Sequence, residues 1–178
     1  MNREERMKKD GLVEEPIEFY GAKKSEATGY LSNFSPHSIW LPHPFNGEII
    51  RYATGEHRYQ AMKADNIDEH DWVNESSGPG ESKSRGRQVD LRPGWDDGLG
   101  YYVMVEIVRA KALTHGEILK KLLKTEGRAL WEDSPTDDIW GIRYRDDYRG
   151  KNLLGKAWMQ VRDEIYLTVR EVGEIVFS

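Results

Sequence analysis

Residues 99–113 read Leu-Gly-Tyr-Tyr-Val-Met-Val-Glu-Ile-Val-Arg-Ala-Lys-Ala-Leu. Val103, Met104, Ile107, Val108 and Lys111 recur at helical spacing and the stretch is apolar nearly all round. It is therefore expected as a central helix enclosed by the rest of the chain. A lysine at 111 in such surroundings implies a buried polar partner, or else Lys111 and Arg109 contribute only pairs on the helix surface. Downstream, Thr114-His115-Gly116-Glu117 matches a capping box, Ile118, Leu119, Leu122 and Leu123 form an apolar stripe, and Gly127 suits a C-terminal cap. Another helix is expected over residues 153–166, capped by Asn152, with Leu154, Trp158, Val161 and Ile165 on one stripe. Residues 167–178 read equally as helix end or strand.

Upstream, Thr54 is a suitable N-cap for a helix over residues 55–65. On it Glu56, Gln60 and Lys63 fall at i, i+4 and i+7 and share one face. Residues 38–41 and 48–52 flank Asn46-Gly47, a pair suited to a tight hairpin turn, and Pro42 and Pro44 confine the first strand to an edge or cut it short. Residues 17–20 and 30–34 read as short extended runs separated by a polar loop carrying Lys23 and Lys24. Residues 65–94 are the least regular part: 76–80 has loop composition, a short helix is expected near 81–87, and Lys83, Arg85, Arg87 and Arg92 form a basic cluster. Residues 1–16, charged and poor in apolar side chains, are expected as a mobile arm. The expected fold is mostly α with a small β element (α+β), one domain over 17–178.

Composition narrows the chemistry. The 178 residues include no cysteine, so disulfides, thiolate metal sites and a cysteine nucleophile are excluded. With no apolar run of membrane length, the chain reads as cytoplasmic. A net charge of -5 argues against broad nucleic-acid binding and leaves room only for a local basic pocket. Six tryptophans are enough to serve both a core and a pocket for a flat ligand. No phosphate-binding glycine loop, nucleophile elbow or paired zinc histidines occur. His37, His43, His57, His70 and His115 are scattered, so neither a metal nor a cofactor is expected.

Polar and aromatic residues instead crowd into three segments: Leu31-Ser32-Asn33-Phe34, Gly55-Glu56-His57-Arg58-Tyr59-Gln60-Ala61-Met62-Lys63, and Ser134-Pro135-Thr136-Asp137-Asp138-Ile139-Trp140-Gly141. Taken with Gly86-Arg87, Arg92-Pro93-Gly94-Trp95, Arg109-Ala110-Lys111 and Gly150-Lys151-Asn152-Leu153-Leu154-Gly155, their order and spacing resemble the NADAR family, the YbiA-like N-glycosidases, over roughly residues 17–165. The resemblance implies hydrolysis of N-glycosidic bonds at ribose C1. The substrates it implies are phosphoribosylamino intermediates of riboflavin biosynthesis or ADP-ribose attached to guanine in nucleic acid. It also implies that Glu56 is the catalytic glutamate, Asp137 its acidic partner, and Trp95 and Trp140 pocket aromatics. Asn33, Lys63 and Arg87 match other recurrent positions, and Gly141 adjoins Trp140.

The residues themselves fit that chemistry, because an oxocarbenium-like state needs a nearby carboxylate, an activated water and a protonated leaving base. Glu56, in the first turn of its helix, suits an ionised base; Asp137 suits stabilising C1 charge, binding ribose hydroxyls or assisting the leaving group. Trp95 and Trp140 would sandwich a base, such stacking being worth about 1–3 kcal/mol, while Arg87 and Lys83 would meet phosphate. Lys63 either pairs with Glu56 or attacks an opened sugar to form a Schiff base. Plainer roles stand beside these: Glu56 as a helix-start charge, Asp137 as a turn cap, the tryptophans as core anchors, Asn33 bonding its own turn, and the basic cluster as a solvated face. Arg143, Tyr144, Arg145 and Tyr148, in a segment where many relatives have a short glycine-rich loop, would reach a larger or anionic substrate. The alternative to an enzyme is a module that binds ADP-ribose or NAD without turnover.

Overall fold

In the computed structural model, residues 1–22 and 27–177 are described, side chains only as far as 170. Lys23, Lys24 and Ser178 lie outside the described residues. The architecture is mostly helical with two small two-stranded sheets, and the chain forms two compact units, residues 21–116 and residues 1–20 with 117–178. No helix among the described residues is long and apolar enough to cross a membrane.

In the 21–116 unit, the run expected to be extended around Tyr30 is instead a 3-10 turn, Gly29–Leu31. β2 (Ile39–Pro42) and β3 (Ile49–Tyr52) pair antiparallel, Ile39 opposite Tyr52 and Pro42 opposite Ile49. Pro42, which has no N–H to continue the ladder, ends β2. The connection is longer than a two-residue turn. The His43 N–H reaches the Glu48 carbonyl at 2.7 Å, and within it Gly47 takes φ +78° while Asn46 Oδ1 accepts the Glu48 N–H. α2 (Gly55–Ala61) starts where Thr54 Oγ1 accepts the His57 N–H. It ends before the expected Asp65, because the next residues pair with another segment: the Lys63 carbonyl accepts from the Arg92 N–H at 2.7 Å and Ala64 bridges Leu91.

The irregular stretch 65–94 holds two helices, one more than expected. α3 (Ile67–Asn74) has Asn66 as its N-cap, accepting from the Glu69 N–H, and α4 (Pro79–Arg85) begins on Pro79, whose ring presets the first turn. α5 (Gly100–Thr114) is the expected central helix, with Val103, Met104, Ile107 and Val108 buried. It runs through Thr114, which closes α5 instead of capping the next helix. α2 packs against α3, α4 and α5.

The other unit corrects the expectation of a mobile arm. α1 (Arg3–Lys9) opens with a reciprocal capping box between Asn2 and Glu5. Arg6 is buried, bonding the Gly150 carbonyl at 2.8 Å and Asp10 at 2.7 Å. Met7 packs with Leu12 and Met159 on Ala129, Trp131, Ile142 and Tyr148. A high charge count thus concealed one inward-facing stripe. β1 (Ile17–Phe19) pairs in parallel with β4 (Leu130–Glu132), Ile17 opposite Leu130. α6 (Gly116–Leu123) buries Ile118 and Leu122. α7 (Leu153–Phe177) resolves the ambiguous tail as helix, with Leu154, Trp158 and Val161 buried. Asn152, expected to cap α7, has φ +56° and instead clasps β4, donating to the Leu130 carbonyl and accepting the Glu132 N–H.

Candidate active site

The first turn of α2 carries the central carboxylate. The Glu56 N–H bonds the Asn33 carbonyl at 3.1 Å, and the side chain is only 6% exposed. One turn on, Gln60 Nε2 donates to Glu56 Oε1 at 2.7 Å. The first-turn position puts the positive end of the helix dipole nearby, which favours a carboxylate. The 32–35 loop lies against this turn only because position 55 is glycine. A Cβ there would sit 2.9 Å from Asn33 Oδ1 and 3.0 Å from Ile107 Cγ2. Asn33 donates to Met104 Sδ at 3.1 Å, and its buried Oδ1 has no hydrogen-bond partner among the described residues.

Lys63 is half-buried just past the end of α2, its Nζ 5.4 Å from the Tyr59 ring centre. Burial lowers its pKa below the usual lysine range; the Glu56 carboxylate opposes this, Lys83 and Arg87 reinforce it, and Asp96 opposes it. Tyr59 also meets Trp95, ring centres 5.2 Å apart, and Trp95 is buried. Arg87 is exposed beyond α4, and Lys83 lies 6.0 Å from the Phe34 ring. Glu56, Gln60, Lys63, Asn33 and Trp95 thus belong to one packed region fringed by basic groups.

Lys111 has the buried polar partners that its apolar surroundings imply, in Ser32 and Ser35. Fully enclosed, its Nζ donates to the Ser32 carbonyl at 2.8 Å and to Ser35 Oγ at 2.5 Å, and burial pushes its pKa down to about 7. A neutral amine has enough protons for both bonds. Lys111 therefore anchors, from α5, the loop that presents Asn33.

Asp137, Trp140 and Gly141 belong to the other unit. Asp137 Oδ1 accepts from the N–H groups of Ile139 at 3.0 Å and Trp140 at 2.8 Å, while its own N–H bonds Ser134 Oγ. That oxygen holds a turn, the plainer of the two roles expected for Asp137. Trp140 is half-buried, and a Cβ at Gly141 would lie 2.6 Å from the Asp137 carbonyl, so glycine there serves close packing. In the neighbouring loop, Arg143 and Tyr148 bond each other at 2.5 Å and Arg143 pairs with Asp133, so that of the four residues expected to reach substrate only Tyr144 and Arg145 are exposed.

The scattered histidines are partly gathered by the fold. His43, His70 and Asp71 bring one potential ligand atom each to within 4.8 Å of one another. Both imidazoles approach Asp71 Oδ1 at 2.9 Å, and the Phe45 N–H donates to His43 Nδ1. That bond puts the His43 proton on Nε2, the atom a cation would need, so the tautomer suits a hydrogen-bonded cluster and not a ligand set. Arg58 donates to the Tyr52 hydroxyl, which meets His70 Nε2 at 3.1 Å. Burial pushes His70 down to about 4, against the hydrogen bond to Asp71.

A buried carboxylate beside a lysine, aromatic rings and basic groups, on a mostly helical scaffold, is the setting in which comparison with known proteins becomes informative. The NADAR domain family matches residues 18–166, and the chain belongs to that family. An N-glycosidase of Nostoc punctiforme is 38% identical over 156 residues, covering 84% of this chain and 92% of that protein. The N-glycosidase YbiA of Escherichia coli is 30% identical over 151 residues, 84% of this chain and 88% of that one. The NMR structure of E. coli YbiA superposes with a TM-score of 0.73 at 29% identity, covering 87% of each chain. A maize protein, riboflavin biosynthesis protein PYRR, chloroplastic, is 36% identical over 173 residues. The match covers 89% of this chain and 27% of that longer protein.

Proposed function

We propose that the chain is an N-glycosidase, a hydrolase that cleaves the bond between ribose C1 and a nitrogen. The observation that carries this is the buried Glu56 carboxylate, bonded at Oε1 by Gln60 and acting electrostatically on Lys63. Cleavage builds positive charge at C1 and ends with water on that carbon. A carboxylate facing C1 balances the charge and takes the proton of the incoming water. Glu56 fills that role; Asp137, with Oδ1 engaged in its turn, is assigned to C1 charge, ribose hydroxyls or the leaving group through its remaining oxygen. Lys63 pairs electrostatically with Glu56. Its depressed pKa also supports the second route, a Schiff base with opened ribose, which borohydride trapping and peptide mass spectrometry would detect on Lys63. Asn33 Oδ1 suits a ribose hydroxyl donor, Arg87 a phosphate, and Trp95, Trp140 and Gly141 the base.

The substrate is an N-riboside: a phosphoribosylamino intermediate of riboflavin biosynthesis, in keeping with the name of the maize relative, or ADP-ribosylated guanine in nucleic acid. A cytoplasmic setting, expected from composition, is part of the same proposal. The test is incubation with both substrate classes, comparing wild type with Glu56→Gln. Release of free base or amine that falls at least about 100-fold in the variant supports the assignment. Tight ADP-ribose binding with no product, unchanged in Glu56→Gln, would replace it with the non-catalytic module.

A further inference from the structure

The pair Gln60 and Gly86 lies beside the proposed base and has no role in the chemistry described so far. Gln60 is one turn beyond Glu56 on α2, 3% exposed, with Nε2 2.7 Å from Glu56 Oε1. Its own Oε1 is buried and has no hydrogen-bond partner among the described residues. That oxygen rests on Gly86. A Cβ at 86 would overlap Gln60 Oε1 and stand 2.8 Å from its Cβ and 3.1 Å from its Cδ. Gly86 has φ -64° and ψ -6°, ordinary helical values open to any residue. Backbone conformation therefore does not call for glycine at 86; space for the Gln60 side chain does.

The amide is also fixed in one sense. Turned over, it would set its carbonyl oxygen against the Glu56 carboxylate and its NH2 against a glycine Cα, which offers no acceptor. A buried carbonyl left without a donor is tolerated only where something else is gained. Here the gain is a charge-assisted bond that holds the carboxylate plane and favours its ionised form.

We infer that Gln60, clamped by Gly86, is a positioning residue for Glu56, orienting the carboxylate and keeping it ionised for its work as base. This rests on the N-glycosidase reading of Glu56. The chemistry needs both contributions, because a general base must present a lone pair of set direction and must be unprotonated when water arrives.

The test is a titration of the Glu56 carboxyl by NMR of the full chain labelled with side-chain 13C-glutamate, assigned by comparison with Glu56→Gln, in wild type, Gln60→Met and Gly86→Ala. Both variants are expected to move that titration to higher pH, since each removes or displaces the donor. Where base release is measurable, kcat falls about 10- to 100-fold with KM nearly unchanged, and the acidic limb of the pH profile moves up in step. In a Gln60→Ala background, Gly86→Ala leaves the Glu56 titration where Gln60→Ala alone puts it, because the amide it would displace is gone, and only the 2.8 Å contact with the Cβ of residue 60 remains as a cost to stability. If Gln60→Met does not fold, Gly86→Ala alone carries the measurement. An unmoved Glu56 titration would overturn the inference while leaving the reading of Glu56 intact. Full activity in Glu56→Gln would instead remove the N-glycosidase reading itself.

Discussion

Lys111→Met separates a neutral buried lysine from a charged one by the slope of stability against pH. The unfolded amine titrates near 10.5 and the folded one at about 7, because burial penalises the ammonium. Between those values the unfolded chain holds a proton that the folded chain lacks, so stability rises with pH across that window and levels off below 7 and above 10.5. The rise is about 1.4 kcal/mol per pH unit, so from pH 7.5 to 9.5 Lys111 alone contributes roughly 2.7 kcal/mol. Methionine fills similar space with no proton to exchange, at the cost of the bonds to the Ser32 carbonyl and Ser35 Oγ, a pH-independent offset of about 2 kcal/mol. Urea unfolding followed by tryptophan fluorescence at several pH values in both proteins gives two curves. Their difference cancels every other titrating group and should widen in favour of wild type as pH rises. Parallel curves would mean that the ammonium is as stable in the fold as in water, and the account of Lys111 as a neutral anchor would fail. Because the anchored loop presents Asn33 and bonds the Glu56 N–H, the same substitution is expected to lower kcat/KM for base release at pH 8.

Three further outcomes follow from named contacts. Gly55→Ala brings a methyl within 2.9 Å of Asn33 Oδ1 and 3.0 Å of Ile107 Cγ2 and should destabilise by about 1–3 kcal/mol in denaturant titrations, with activity falling as the loop shifts. His70 titrates at about 4 when folded and 6.5 when unfolded, so stability should fall by roughly 3 kcal/mol as pH drops through that window; His70→Gln should flatten this part of the acid-unfolding curve. Arg87→Ala, at an exposed position, should raise KM for a phosphate-bearing N-riboside about 3- to 10-fold with kcat unchanged; equal KM values would remove Arg87 from the phosphate contact.

What was legible in the sequence was local. Thr54 capping α2, the apolar faces of α5 and α7 and the lysine needing a partner at 111 all depend on residues within a few positions, where spacing is itself geometry. The α3 helix shows that local signals also go unread: Asn66 followed by Asp68 and Glu69 is an N-terminal signature, but the polar residues around it left 67–74 read as part of an irregular stretch whose one expected helix lay near 81–87. β4 had no such signal, since three residues pairing in parallel with β1 across more than a hundred positions leave no period to detect. The His43, His70 and Asp71 cluster was invisible for the same reason, and α1 because composition averages away a stripe as narrow as Arg6 and Met7. Gln60 is the most instructive position. Its spacing from Glu56 was plain, but its importance depends on Gly86, a glycine with helical dihedrals that looks dispensable until the side chain it makes room for is seen. A glycine that its own backbone does not require marks a place where another group must come close, and here that group holds the carboxylate.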